Sequence, residues 1–113
     1  MSGEMFEVAF LKYLRRKKEL FDDVERYGKK GESDIVAHKG KAEYIFSLKL
    51  RNVEAYPVYF TPEELSPEYQ RAFEKKLRRE EVFLFLIFYD AKLNSLRLRQ
   101  LDIGNPKTQS FEE

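Results

Sequence analysis

Eight consecutive apolar residues, VFLFLIFY, fill positions 82–89 of the chain. A strand with one solvent-exposed face alternates polar and apolar residues, whereas this run has no polar position, so it predicts a strand covered on both faces. The run is far shorter than the roughly 20 apolar residues that a membrane-spanning helix needs. We therefore expect it to form the centre of a sheet.

The N-terminal segment predicts a helix followed by a weak strand. Ser2 is a typical capping residue, and apolar residues then recur at helical spacing up to the basic run at 15–18, which predicts an amphipathic helix with a basic end. Residues 21–27 give a weak strand signal, and a turn signal follows at 28–31.

A β-hairpin is predicted next. Residues 33–38 contain the β-branched pair Ile35-Val36, and the segment 39–41, with Gly at its centre, separates them from a second strand at 42–50. The following segment, 53–60, contains Pro57 and predicts an irregular connection or an edge piece.

Two capping signals, TPEE at 61–64 and SPE at 66–68, precede a second helix that is expected to end near residue 79. After the apolar run, residues 95–101 alternate polar residues with Leu, which predicts a strand with one open face. The element order αβββαββ predicts an α/β fold, a mixed β-sheet flanked by helices. We expect a single domain over residues 1–103 and a flexible polar tail over 104–113.

Composition limits the kinds of site available. The 113 residues fit one domain, and a net charge of +1 supports neither a strongly basic nucleic-acid coat nor an acidic solvating protein. The absence of Cys excludes disulfides, thiolate metal sites and cysteine nucleophiles, and the single His excludes multi-histidine sites, which leaves an oxygen-ligand metal site. The absence of a signal-peptide pattern predicts a soluble, cytoplasmic protein, and few Asn and Gln beside many charged residues are typical of thermophiles.

Four residues could form one polar site. Glu7 lies inside the apolar arc of the first helix, where it is either a rim acid that reaches a backbone donor or part of a metal or acid–base site. Ser47 and Lys49 share one face of their strand, and a lysine in an apolar strand needs an anionic partner. Asp34 begins the preceding strand, so hairpin pairing brings it near both, and Glu7 can reach them from a helix on the same sheet.

These residues and their order resemble the PD-(D/E)xK nuclease superfamily, and most closely the archaeal Holliday junction resolvases. The matching positions are the helix acid Glu7, Arg26, the run DIVA at 34–37 and the Ser47-Leu48-Lys49 strand. The resemblance covers about residues 4–101 and implies a restriction-endonuclease-like fold. It also implies Mg²⁺- or Mn²⁺-dependent hydrolysis of DNA phosphodiesters, with branched DNA such as Holliday junctions as the substrate and a homodimer as the active form.

In this resemblance Asp34 and Glu7 would hold the metal ion, and Lys49 would orient water or neutralise the phosphate. The family pattern has Glu where this chain has Ser47, and some members with Ser-x-Lys recruit an acid from the next helix. Glu63 or Glu64 is the candidate by that analogy, and helix capping is the alternative role of both.

Basic residues near the first helix and the following turn would bind DNA phosphates, and a solvated surface is the alternative reading. They are Arg15, Arg16, Lys17, Lys18, Arg26, Lys29 and Lys30. Because Ser47 cannot supply the missing charge, a second hypothesis is a catalytically inactive nuclease fold that binds nucleic acid or a protein partner.

Overall fold

The computed structural model describes residues 2–27 and 34–113, with Asp34 described by its backbone alone. Helix α1 spans Gly3–Arg16, and it starts where the Ser2 hydroxyl accepts a hydrogen bond from the Met5 N–H at 3.1 Å. One face of α1 buries Phe6, Glu7, Phe10 and Leu14. The predicted first helix and its cap are therefore confirmed.

The bounds of the remaining elements are β1 Asp23–Tyr27, β2 Asp34–Lys39, β3 Ala42–Arg51, β4 Val58–Phe60, α2 Ser66–Leu77, β5 Val82–Asp90, β6 Ser95–Leu101 and β7 Gln109–Phe111. In the described ranges the main sheet is mixed and has five strands in the order β1-β2-β3-β5-β6. The strand β3 pairs in parallel with β5, and α2 lies in the connection between them; the other neighbouring strands are antiparallel.

The apolar run at 82–89 lies inside the sheet as β5, but the central strand is β3. The weak strand at 21–27 and the hairpin are present as β1, β2 and β3. Gly40 sits in the hairpin turn with φ +60°, a conformation that L side chains rarely adopt, and its N–H donates to Asp22 at 2.7 Å.

The second capping signal, rather than the first, begins α2. The Thr61 hydroxyl accepts a hydrogen bond from the Glu64 N–H at 3.3 Å, so residues 61–64 form a turn before the helix. Ser66 is the first helical residue, and Pro67 occupies the first turn. Proline is tolerated there because a backbone N–H at this position would have no acceptor within the helix.

Two cores lie on opposite faces of the sheet. On the face covered by α1, Phe10 packs edge-to-face against Phe46 with ring centroids 5.5 Å apart. On the face covered by α2, the rings of Phe60, Phe88 and Phe111 pack together with centroids 5.1 to 5.8 Å apart. Because β3 alternates between these faces, Phe46 faces α1 and Ser47 faces α2.

The segment 104–113, expected to be a flexible polar tail, differs from that expectation. Its residues 109–111 form β7, which pairs antiparallel with β4 in a separate two-stranded sheet. Phe111 is 2% exposed. Phe111 thus attaches the otherwise polar C-terminal segment to the core. The strand that pairs with β7 lies about fifty residues earlier in the chain.

Neither helix in the described ranges combines the length and the apolar character that crossing a bilayer requires.

Candidate functional site

A buried polar pair joins β3 to α2. Ser47 is fully buried, and its hydroxyl donates a hydrogen bond of 2.7 Å to Oε1 of Glu68. Glu68 lies in the first turn of α2 on the side that faces the sheet, and it is 7% exposed. The pair therefore places a carboxylate directly beside the serine of Ser-x-Lys.

The second oxygen of this carboxylate has no hydrogen-bond partner among the described residues. Oε2 of Glu68 is fully enclosed, and the Ser47 hydroxyl donates only to Oε1. Burying a carboxylate is costly unless a donor or a cation compensates its charge. Oε2 of Glu68 is thus a buried carboxylate oxygen whose charge no described donor compensates.

Sequence reasoning assigned Glu68 to helix capping and missed this contact. A signal was available, because helical spacing places Glu68 on the same side as Leu65 and Ala72, both of which are fully buried. An acidic residue on that stripe, facing a strand that carries Ser47, predicts a buried pair.

The two acids proposed from the sequence lie elsewhere. Glu63 is exposed, and the Glu64 carboxylate pairs with Arg51 at 2.8 Å. The Lys49 ammonium donates to the backbone oxygen of Glu64 at 3.4 Å. The acid that the structure brings to Ser47 is therefore Glu68, while Glu64 contributes its carbonyl to the neighbouring lysine.

Asp34 lies at the near end of β2. The register pairs Ile35 with Phe46, and one further step along both strands brings position 34 level with Ser47. Its side chain is outside the described part of the structure. At backbone level, Asp34, Ser47 and Lys49 are thus neighbours, as the hairpin predicted.

Glu7 approaches from the other face of the sheet. It is 5% exposed, and its carboxylate lies 4.0 Å from the Arg26 guanidinium. Arg26 pairs in register with Ile35, so the ion pair lies next to the beginning of β2. The structure therefore brings together Glu7 and Arg26, and separately Ser47 and Glu68, with the first residue of β2 close to both pairs.

The basic residues at the end of α1 have local partners. Arg15 Nε donates to the Val24 carbonyl at 3.0 Å, Arg16 Nε donates to the Lys12 carbonyl at 3.4 Å, and the Lys17 ammonium lies 5.4 Å from the Tyr13 ring. Lys18 lines a surface cavity with a volume of about 540 Å³. Lys29 and Lys30 fall outside the described residues.

A second charged cluster occupies the opposite end of β3. His38 contacts the Asp23 carboxylate through Nδ1 at 2.6 Å and the Glu43 carboxylate through Nε2 at 2.9 Å. The hydrogen bond to Asp23 is the main cause of a raised pKa of His38; burial opposes it and the bond to Glu43 adds to it. Lys75 also contacts Glu43, at 3.2 Å.

The carboxylates around Ser47 are only partly described by the structure. Within residues 2–27 and 35–113, no three acidic or histidine side chains are placed to hold a metal ion together. The enclosed Glu68 oxygen and the adjacent position of Asp34 offer the carboxylate chemistry that Mg²⁺ prefers. No protein-family model and no curated protein matches this chain.

Proposed function

We propose that this protein is a Mg²⁺- or Mn²⁺-dependent DNA endonuclease of the PD-(D/E)xK type. The observation that carries the proposal is the buried Ser47–Glu68 pair, because it returns a carboxylate to the position that Ser47 leaves without one. The mixed sheet, with α2 between the parallel strands β3 and β5, is compatible with a restriction-endonuclease-like fold. Branched DNA such as a Holliday junction is the proposed substrate, on the strength of the sequence resemblance.

The carboxylates of Asp34 and Glu68 would hold the ion. A bound Mg²⁺ lowers the pKa of a coordinated water and stabilises negative charge that develops on the phosphate. Ser47 acts as a positioning residue, because its hydroxyl holds Oε1 of Glu68 in place and leaves Oε2 for the ion. Lys49 would orient the attacking water or neutralise the phosphate, and it is half-buried next to the pair.

Glu7 and Arg26 have a supporting place in this proposal. Their ion pair lies beside the start of β2, so it would hold Asp34 in position or complete the shell of a second ion. Arg26 would also be available to a DNA phosphate, because a third of its side chain is exposed.

The test is calorimetric titration of Mn²⁺ and Mg²⁺ into the wild type and into Asp34→Ala and Glu68→Gln, followed by cleavage assays on linear, flapped and four-way DNA. We expect both substitutions to weaken metal binding by at least about tenfold, or about 1.4 kcal/mol, and to abolish cleavage. Metal binding that survives in both variants would contradict the proposed ligand set. Failure of the wild type to cut any substrate would contradict the enzymatic function.

Matched variants distinguish the three candidate acids. Glu63→Gln and Glu64→Gln each remove one carboxylate from the turn before α2, and both residues are exposed. If Glu68 is the ligand, these variants keep the metal affinity of the wild type. Loss of metal binding in Glu63→Gln with retention in Glu68→Gln would restore the assignment made from the sequence.

A catalytically inactive scaffold is the second candidate function. It is favoured by the full burial of Ser47, whose hydroxyl is already committed to Glu68. Such a protein would bind DNA or a protein partner through the same fold. Salt-sensitive DNA binding that is equal with chelator and with Mg²⁺, together with no cleavage, would select this candidate.

A further inference from the structure

Arg71 lies on α2 above β1, in an environment unlike that of the other cations of this helix. Its side chain is half-buried, and its guanidinium carbon lies 4.5 Å from the centre of the Tyr27 ring. The Nε atom is fully enclosed and meets no hydrogen-bond acceptor in the described part of the chain. The ion pairs described near α2 belong to Lys75 and Arg78 instead. Arg71 is therefore a partly enclosed cation that a ring, rather than a carboxylate, holds in place.

The ring leaves the hydrogen-bonding capacity of Arg71 unused. An aromatic face attracts a guanidinium through its quadrupole, but it does not accept the N–H donors that lie in the plane of the group. Enclosing a charged donor is costly unless an acceptor compensates it. A flat guanidinium that is stacked on one face and has uncommitted N–H donors suits an anion with several oxygens, such as a phosphate.

Tyr27 is held in turn by its own strand. Its hydroxyl donates a hydrogen bond of 2.6 Å to Oε2 of Glu25, which lies two positions earlier on the same face of β1. This bond gives the Glu25 carboxylate a donor other than Arg71. The ring is therefore a platform for Arg71 that β1, rather than α2, keeps in position.

The sheet register places this stack in line with the proposed metal site. Tyr27 pairs with Asp34 of β2, and one further step along β2 and β3 brings position 34 level with Ser47. The three positions thus form one row across three neighbouring strands. Because strands lie about 4.8 Å apart, Tyr27 and Ser47 are separated by about 10 Å at backbone level.

Helix α2 lies across this row. Glu68 contacts Ser47 at one end of the row, and Arg71 contacts Tyr27 at the other. Residues three apart on a helix are neighbours on one face, so both side chains reach toward the sheet from adjacent turns. A carboxylate and a guanidinium therefore stand on either side of position 34.

We propose that Arg71 binds a phosphate of the DNA substrate, next to the phosphate that an ion at Asp34 and Glu68 would hold. This inference rests on the proposed function, to which it adds a substrate contact. The separation of about 10 Å along the row places Arg71 beside the ion rather than over it, so its ligand is a neighbouring phosphate. Tyr27 acts through Arg71 and is a positioning residue.

Fluorescence anisotropy of four-way DNA, titrated with the full chain in chelator at several salt concentrations, tests the contact without metal or cleavage. Loss of one phosphate contact in Arg71→Gln should make the slope of log affinity against log salt shallower by about 0.9. Tyr27→Leu should change the slope in the same direction, because the platform is lost. Tyr27→Phe should keep the wild-type slope, because it retains the ring and loses only the hydroxyl.

Arg78→Gln is the matched control. It removes the same charge at the end of α2, where the Arg78 side chain is 62% exposed and pairs with Glu80 at 3.4 Å. The slope should stay at the wild-type value in this variant. Circular dichroism checks that each variant retains the fold. If Arg71→Gln does not fold, the two Tyr27 variants decide, since Tyr27 is 38% exposed on β1.

Cleavage kinetics give a second readout. Because the contact is to a neighbouring phosphate, Arg71→Gln should raise KM by at least about threefold and leave kcat nearly unchanged. A fall in kcat with KM unchanged would contradict the assignment to a neighbouring phosphate.

The outcomes separate this contact from the nuclease proposal. An unchanged salt slope in Arg71→Gln, an equal change in Arg78→Gln, or a wild type that does not bind DNA would overturn the contact. A wild type that cuts DNA while Arg71→Gln keeps its slope would retain the nuclease and remove only the contact. A slope that depends on Arg71 in a protein that cuts no substrate would retain the contact and contradict the enzymatic function.

Discussion

At the scale of single residues, β3 buries two polar side chains. Ser47 is fully buried, and Glu43, four residues before it on the same face, is 8% exposed. Each has a partner that compensates burial: Glu68 on α2 for Ser47, and His38 with Lys75 for Glu43. These two buried polar residues of β3 therefore depend on particular neighbours.

Ser47→Ala would destabilise the fold. The substitution removes the hydrogen-bond donor to Glu68 Oε1 and leaves a buried carboxylate without a described donor. We expect the free energy of unfolding to fall by about 1–3 kcal/mol, measured by urea denaturation in the absence of metal. Ser110→Ala, at an exposed position on β7, is the control and should change it by less than about 0.5 kcal/mol. Equal effects of the two substitutions would show that the Ser47–Glu68 bond contributes nothing to stability.

His38 makes the stability of the fold depend on pH. Because the pKa of His38 is raised in the folded state, chiefly by Asp23, folding favours the protonated ring. Its stabilising contribution is fully present below the ordinary pKa of 6.5 and is lost as the pH rises through the folded-state pKa. We expect His38→Gln to lower the urea midpoint at mildly acidic pH and to have less effect at mildly basic pH. A difference between wild type and variant that is constant across this range would contradict the raised pKa.

At the scale of elements, long-range pairing gives short segments their structure. The three-residue strands β4 and β7 pair only with each other in the described sheets, and they lie over the core on the α2 face. Phe111 is the residue that joins them to it, since its ring contacts Phe60 and Phe88. The C-terminal segment is therefore part of the domain core.

Phe111→Ala should destabilise the protein strongly. Phe111 is 2% exposed, and removal of a buried phenylalanine ring typically costs about 3–5 kcal/mol. Phe73→Ala is a matched control, because Phe73 on α2 is 46% exposed, and its loss should cost less than about 1 kcal/mol. Chemical denaturation of both variants measures the difference. A mild effect of Phe111→Ala would mean that the last ten residues are attached only loosely, as the sequence had suggested.

At the scale of the whole molecule, Glu7 and the basic run lie on different turns of α1. Lys17 and Lys18 follow the last turn, and Glu7 lies roughly 15 Å away along the helix axis at 1.5 Å per residue. The side chains of Arg15 and Arg16 are committed to carbonyls within the fold. A DNA duplex that contacts both the turn of Glu7 and the basic run would have to run along the helix.

The double substitution Lys17→Ala/Lys18→Ala tests whether DNA follows this path. If both residues contact phosphates, the slope of log affinity against log salt should become shallower by about 1.8. Fluorescence anisotropy with four-way DNA, measured over a range of salt concentrations, gives this slope. Lys107→Ala, at an exposed position outside the basic run, is the control and should leave the slope unchanged. An unchanged slope in the double variant would assign the basic run to the solvated surface.

The sequence determined the local elements of this protein, because their signals depend on neighbouring residues. The apolar run at 82–89, the hairpin around Gly40 and the amphipathic α1 could all be predicted from spacing. For the candidate site, hairpin pairing predicted that Asp34 is next to the strand of Ser47 and Lys49.

Only the tertiary structure decided which distant residues meet. Glu68 lies 21 positions from Ser47, and their contact depends on how α2 packs across the sheet after the parallel connection. The same holds for the central place of β3, for the pairing of β7 and for the position of β6 at the edge of the described sheet. Local patterns specify which face of an element is apolar, but they do not specify the element that covers it. That choice is made by packing between segments far apart in the chain.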